Sequence, residues 1–379
     1  MHNRMYRILC VLAILISFIM ISECLAEVED CSATVVLSVD EYHRGKSRQF
    51  LIVDDLLYAA INIRLDDEAS DNYEWITRVY CISTKGNVEC CVDVPDTLAD
   101  PVEYKGGIVL VASGVHEFIY SIYYISKKGK VVWQYGMSTD ASFQPIQMGD
   151  NIVVIDIEGY IWEFNENGYV DKRMCIEERL TDTMITRYDN NRMVLISGNI
   201  VYFIDIHKGL KWKIDMMYES DEVDVDNEDS FIGRYPAAIF GDKILLANAL
   251  GVVFVIDKNG TIVGIKKYDL KALGCEIVTY KDTVLLLSHN ILILDDRMNI
   301  VRCVENTRRD SDIYITENGW ILFSVRSGIV KAFNIESGKT HYYRVCKGEG
   351  MISMPIIFND KLYAYSIGGN IYAAEVPEW

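Results

Sequence analysis

Residues 126–136 read SKKGKVVWQYG. Gly129 sits between two strand-like runs, where its freedom to adopt positive φ suits the tight turn of a β-hairpin. Trp133 follows it by four residues. The fold depends on whether this is one hairpin or one copy of a unit repeated along the chain.

Comparison of the chain with itself favours the repeat. A turn, an apolar strand, a glycine turn and a second apolar strand recur in LIVDDLLYAAI, PVEYKGGIVLVASG, PIQMGDNIVVIDIEG, TRYDNNRMVLISG, PAAIFGDKILLANALG, VTYKDTVLLLSHN, YITENGWILFSVRSG and PIIFNDKLYAYSIGG. They begin near residues 51, 101, 145, 186, 236, 278, 314 and 355. The spacing matches four-stranded propeller blades. Each copy continues through a third strand, a second turn and a fourth strand, as in GYIWEFNENGYV and GVVFVIDKNGTIVG. SKKGKVVWQYG is therefore the outer hairpin of the second copy, and an aromatic at Trp133, Trp212 or Tyr342 is placed to pack between blades.

The eighth copy stops after three strands at GNIYAAEVPEW, whereas SATVVLSV, residues 32–39, stands unpaired ahead of the first. Joining the two covers a sheet edge that would otherwise invite aggregation. The expected fold is all-β: an eight-bladed β-propeller of four-stranded antiparallel blades, closed by the N-terminal strand pairing with the C-terminal blade.

GKVVWQY, GVVFVIDKNGTIVG and GIVKAFNIESGK resemble the repeats of pyrroloquinoline-quinone-type, or quinoprotein-like, β-propellers. The copies are degenerate, with Cys90, Trp133, Lys172, Gly264, Cys303 and Tyr342 read into the tryptophan slot of successive repeats. The resemblance implies the fold. The family includes quinone-dependent alcohol and sugar dehydrogenases as well as cofactor-free proteins, among them the propeller component of outer-membrane barrel assembly. The enzymatic branch implies calcium and a quinone above the central channel, with an aspartate base, a stacking tryptophan and in some members a ring of adjacent cysteines. Only Cys90 and Cys91 answer to that set, on an outer strand far from the channel.

Composition limits the partners. The 37 basic and 55 acidic residues leave a net charge of −18, which disfavours nucleic acid and anionic lipid. The start of the chain reads as a targeting segment: Arg4 and Arg7, then the uncharged ILCVLAILISFIMI, then small Ala26. Residues 1–26 are expected to be an export signal, with an uncleaved membrane anchor as the alternative, and residues 27–379 a single propeller domain that is periplasmic or extracellular. The six histidines show no metal-ligand spacing, and no G-x-S-x-G, Walker A or H-E-x-x-H motif occurs.

Two acidic insertions supply the candidate binding surface. RLDDEASDNYEW (64–75) carries Asp66, Asp67, Glu68 and Asp71, and YESDEVDVDNEDS (218–230) carries Asp221, Glu222, Asp224, Asp226, Glu228 and Asp229. Strand alternation puts both on one face, as solvated loops or as an acidic rim for a basic partner. Asp224, Asp226 and Glu228 alternate as calcium ligands do, without the glycine of a calcium loop. A disulfide between Cys81 and Cys90 is expected if Lys85-Gly86 forms a two-residue turn that sets them opposite each other. A bulged three-residue turn would favour a Cys90–Cys91 ring or thiols instead. The functional expectation is a monomeric, non-catalytic scaffold without a cofactor that binds a protein or cell-envelope polymer. A quinone-dependent oxidoreductase and a carbohydrate-active enzyme are the alternatives.

Overall fold

Middle strands that are apolar throughout can be buried only if both faces are covered, and the chain is full of them. In blade 5, Lys243–Ala247 and Val252–Asp257 are almost wholly buried, whereas the outer strand Ile262–Lys267 alternates between half-buried and exposed. Stacking sheets face to face around an axis meets this requirement for inner strands and leaves outer strands at the rim. The computed structural model shows this arrangement as an eight-bladed β-propeller of four-stranded sheets. It describes residues 28–376 apart from 32, 40–42, 45–49, 67–72, 98, 114–119, 138–143, 177, 182, 217–234, 271–274, 305–311, 326–327, 347–348 and 352.

Residues 36–309 form one compact unit that holds blades 1 to 6. Five apolar clusters lie between its successive blades. Between blades 2 and 3, for example, Val109, Val111 and Ile122 meet Ile152, Val154 and Phe164. Between blades 4 and 5, Val194, Ile196 and Phe203 meet Ile244, Leu246 and Phe254. Each fully buried aliphatic side chain contributes about 1.5–3 kcal/mol of burial free energy. Blade 1 departs from the pattern. Its second and third strands, Leu56–Asp66 and Tyr73–Ser83, have eleven residues each, and the edge of Leu56–Asp66 is shared by Phe50–Val53 and the short His43–Arg44.

The second unit contains blades 7 and 8 together with the described N-terminal residues up to Val35. Ala33–Ser38 lies at the edge of the sheet, next to Asn370–Glu375, and supplies the fourth strand that the last repeat lacks. Thr34 Oγ1 donates to the Ala373 carbonyl at 3.4 Å. A second contact was not foreseen: Val28–Asp30 adds a parallel fifth strand to blade 7, pairing with Tyr342, Tyr343 and Arg344. The N-terminal segment thus ties two neighbouring outer edges, and Cys31 and Ala33 pack against a core that includes Trp320, Leu362 and Ala374.

The outer hairpins share one construction. Each opens with a Ser, Asn or Asp; in three of them, Asn165, Asp257 and Asp295, the side chain accepts N–H groups two and four residues ahead. A residue at positive φ closes the turn, and in blades 1 to 6 a bulge in the outer strand follows. This geometry corrects the expected turn of blade 1. Ser83 and Asn87 enclose a three-residue turn, not a two-residue one, which shifts the register by one. The bulge at Glu89 shifts it back, so Ile82 faces Val88 while Cys81 faces Cys90. Their Cα atoms lie 4.9 Å apart, and the structure joins them in a disulfide.

Counting from the bulge also corrects the tryptophan slot. The residue just after it, seven after the turn opener, is Cys90, Trp133, Lys172, Trp212, Gly264 and Arg302 in blades 1 to 6. Cys303 is therefore one position late, and by the same count Tyr342 gives way to His341, which faces Ala332 and rests against Trp320 at 5.3 Å. Where the slot holds tryptophan, the ring lies on the glycine of the next blade's turn. A Cβ on Gly168 would come within 2.7 Å of Trp133, and one on Gly260 within 2.9 Å of Trp212. Each indole Nε1 donates to the residue after the turn opener, Glu166 O and Lys258 O, at 3.0 Å.

Deleting residues 28–38 uncovers the outer edges of two blades. The melting temperature is expected to fall by several degrees relative to a chain that begins at residue 27. An unchanged melting temperature would show that these strands are dispensable.

Candidate functional site

The acidic residues singled out from the sequence lie for the most part outside the described residues. This applies to Asp67, Glu68, Asp71, Asp221, Glu222, Asp224, Asp226, Glu228 and Asp229, while Asp66 is described only as backbone, paired with Tyr73 at the end of its hairpin. Among the described residues no group of three or more His, Cys, Asp or Glu side chains is arranged to hold a metal ion. Cys81 and Cys90 occupy the outer hairpin of blade 1, where Cys90 takes the tryptophan's place against Gly129 of blade 2.

The structure displays a different site. A cleft of about 1090 Å³ opens at the turns of blades 4 and 5. One wall is the turn between Thr183–Arg187 and Arg192–Ser197, and the other is the outer turn after Ile200–Asp205 together with Lys258 and Asn259 of blade 5. These turns leave the strands at the end opposite to the second-to-third and blade-to-blade connections that carry the acidic insertions.

The floor is aromatic and rigid. Phe203 stacks on Trp212 with centroids 5.2 Å apart, Tyr188 meets Phe203 edge-on at 5.0 Å, and the Arg192 guanidinium lies 4.8 Å above the Tyr188 ring. Both ends are anchored to blade 5, since Trp212 Nε1 donates to Lys258 O and the Tyr188 hydroxyl to Asp242 O at 3.1 Å. The floor is thus an extension of the same indole-on-glycine contact that joins these blades.

The walls are basic. Arg187, Arg192, Lys208, Lys211 and Lys258 face Asp189 and Asp205 in a chain whose net charge is −18. The two carboxylates are engaged by their own turns. Asp189 accepts the N–H groups of Asn191 and Arg192 and the Arg192 Nε at 2.6 Å; Asp205 accepts those of His207 and Lys208. Partial burial raises both carboxyls, but Arg192 and the turn N–H groups outweigh it at Asp189, as do the N–H groups and nearby lysines at Asp205, holding both below the ordinary carboxylate range. Lys208, Lys211 and Lys258 are exposed. Fixed acceptors below and exposed ammonium groups above suit a ligand that brings negative charge and a flat or apolar surface.

This cleft has no counterpart in a run of residues. Its cations are scattered from position 187 to 258 and become neighbours only when blades 4 and 5 stack. The legible signal was the recurrence of Lys and Arg at turn positions of consecutive repeats.

No family profile and no curated protein sequence matches the chain. Solved structures do. The chain is similar to BamB from Moraxella catarrhalis at 14% identity and a TM-score of 0.60, over 90% of this chain and 99% of that one. It is also similar to the computationally designed protein Ika8, at 11% identity and 0.61 over 90% and 99%, and to the C-terminal WD40 domain of Sif2, at 10% identity and 0.57 over 92% and 100%. At such identities the likeness bears on the fold alone.

The depressed carboxyl of Asp189 yields a pH dependence. Because its folded value lies below the unfolded one, its contribution to stability is complete above the ordinary carboxylate range and is lost as pH falls through the folded value. Asp189→Asn is expected to remove that part of the acid limb in melting temperature against pH. Identical acid limbs for variant and parent would contradict the assignment.

Proposed function

We propose that the chain is an exported, non-catalytic binding propeller of the quinoprotein-like type, working as a monomer, whose cleft between blades 4 and 5 takes an acidic stretch of a partner protein. The observation that carries this reading is the cleft itself, with five cations around an aromatic floor in a strongly acidic chain. Its turns sit on a stacked scaffold, so little ordering is lost on binding. The acidic segments 64–75 and 218–230 belong to the same reading as a second surface of opposite charge at the other end of the strands, open to a basic partner or to calcium. Residues 1–26 are proposed as the cleaved export signal and the remainder as the working propeller.

Charge explains the choice of partner. A nucleic acid would meet the repulsion of the whole molecule, whereas a polypeptide can present a few carboxylates to the cleft and keep the rest of its surface neutral. Tyr188, Phe203 and Trp212 add an apolar floor that an interleaved acidic and aromatic sequence can cover.

A peptide of alternating glutamate and tyrosine, titrated into the protein and followed by tryptophan fluorescence, tests the assignment, with Trp212→Phe as the control for the reporting ring. Saturable binding is expected, weakened at least tenfold by Lys208→Glu with Lys258→Glu and further weakened as salt screens the pairs. Binding indifferent to both would reject the cleft. Reconstitution with pyrroloquinoline quinone and calcium tests the competing chemistry: stoichiometric uptake with alcohol- or sugar-dependent dye reduction would replace the binding reading with the enzymatic one.

A further inference from the structure

The slot after the bulge holds glycine in one blade of the larger unit, Gly264 of blade 5. Its partner position in the blade 6 turn is also exchanged. Where the tryptophans of blades 2 and 4 lie on Gly168 and Gly260, the corresponding residue is Met298, which keeps the positive φ of 64° and the turn bond from its N–H to Asp295 O. Large on small has become small on large. The exchange is incomplete in volume, because a pocket of about 240 Å³ remains, lined by Phe240, Leu245, Val255 and Met298, by residues 263–266 and by the charged Lys243, Asp296 and Arg297.

We infer that this pocket receives an aromatic side chain, tryptophan or tyrosine, from a partner polypeptide lying along the outer strand of blade 5. The chain itself shows what such a slot accepts, since two of its own blades place an indole there. The pocket is smaller than the roughly 300 Å³ at which small-molecule sites begin, so it suits one side chain and not a whole metabolite. Its inner lining is apolar, with Leu245 and Val255 buried.

The remaining parts of the indole contact are also present. The carbonyl of Asp296 corresponds to those of Glu166 and Lys258, which accept the indole N–H in the filled slots. An N–H or O–H on the incoming ring meets the same acceptor, which distinguishes tryptophan and tyrosine from leucine. Lys266 Nζ donates to Arg297 O at 2.7 Å and Met298 O at 3.0 Å, and the Tyr268 hydroxyl donates to Met298 O at 2.7 Å, so the turn is held from below while the pocket stays open. The Met298 side chain is unbranched, can change rotamer to admit a ring, and gains a favourable sulfur–aromatic contact when it does. On the same strand Val263 and Ile265 are 54% and 43% exposed, an apolar flank that the backbone of a partner would cover. Blade 7 already shows an outer strand accepting an added one, Val28–Asp30.

This site is separate from the cleft between blades 4 and 5, and either can fail without the other. The test uses the full mature protein carrying methyl-labelled methionine, with the Met298 signal assigned through Met298→Leu. N-acetyl-tryptophanamide is the probe, and N-acetyl-alaninamide the control. The Met298 methyl resonance is expected to shift saturably with the indole probe, at millimolar affinity, and not with the control. Gly264→Leu, which fills the pocket from within, is expected to abolish the shift. Gly264→Val serves the same purpose if the larger side chain prevents folding. A shift that does not saturate, or that survives pocket filling, would overturn the inference. A concentration-dependent dimer dissolved by Gly264→Leu would overturn it too, by making a second copy of this chain the occupant.

Discussion

The structure depends on one contact that recurs in blades 1, 2 and 4: the side chain just after the outer bulge lies against the glycine of the next blade's turn. Apolar burial draws the sheets together but is indifferent to small slides of one sheet over another. The slot contact is directional. An indole on a glycine, with its N–H on a turn carbonyl, has one position and one depth, and Trp133 and Trp212 fix both for their blades. The bulge matters because it points the slot residue toward the neighbouring blade, and the turn opener matters because its side chain holds the turn that presents the glycine.

Variation in this contact decides where the molecule is closed and where it is open. Blade 1 uses the Cys81–Cys90 pair in place of tryptophan, with Cys90 against Gly129, so a covalent link in the outer hairpin stands where an aromatic would otherwise pack. Between blades 4 and 5 the tryptophan continues into Phe203, Tyr188 and Arg192, and the stack becomes the floor of the basic cleft. Between blades 5 and 6 the large and small partners change places and leave a pocket. One candidate site thus extends the structural rule and the other departs from it, both on turns and edges, while the inner strands stay uniform.

Much of this was legible in the sequence and some of it could not be. Eight copies of an apolar hairpin, a strand missing at one end and an unpaired strand at the other were enough to predict the blades and the place of Ala33–Ser38. Glycine spacing could not separate a two-residue turn from a three-residue turn followed by a bulge, because the two errors cancel at Cys81 and Cys90. The same ambiguity misplaced the slot by one residue at Cys303, the longer turn of blade 7 did so at Tyr342, and the glycine of the blade 4 turn, Gly209, falls one residue later than in blades 1, 2, 3 and 5, which hid Trp212 as a full member of the series. The parallel strand Val28–Asp30 carries no periodic signal in three residues. The basic cleft went unread because its charges converge only across two repeats, against a net charge that pointed toward acidic surfaces.

The central claim is that Trp on Gly and Gly on Met are two solutions of one constraint, a single large partner in the space between slot and turn. A double-mutant cycle on Gly264→Trp and Met298→Gly, followed by chemical denaturation, tests this most directly. Gly264→Trp alone has to push Met298 aside and Met298→Gly alone enlarges the pocket, so the pair together is expected to be more stable than the sum of the singles by well over the roughly 0.5 kcal/mol within which independent sites add. Additive effects, or a double variant weaker than the sum, would show that the two positions do not share one space and would contradict the account.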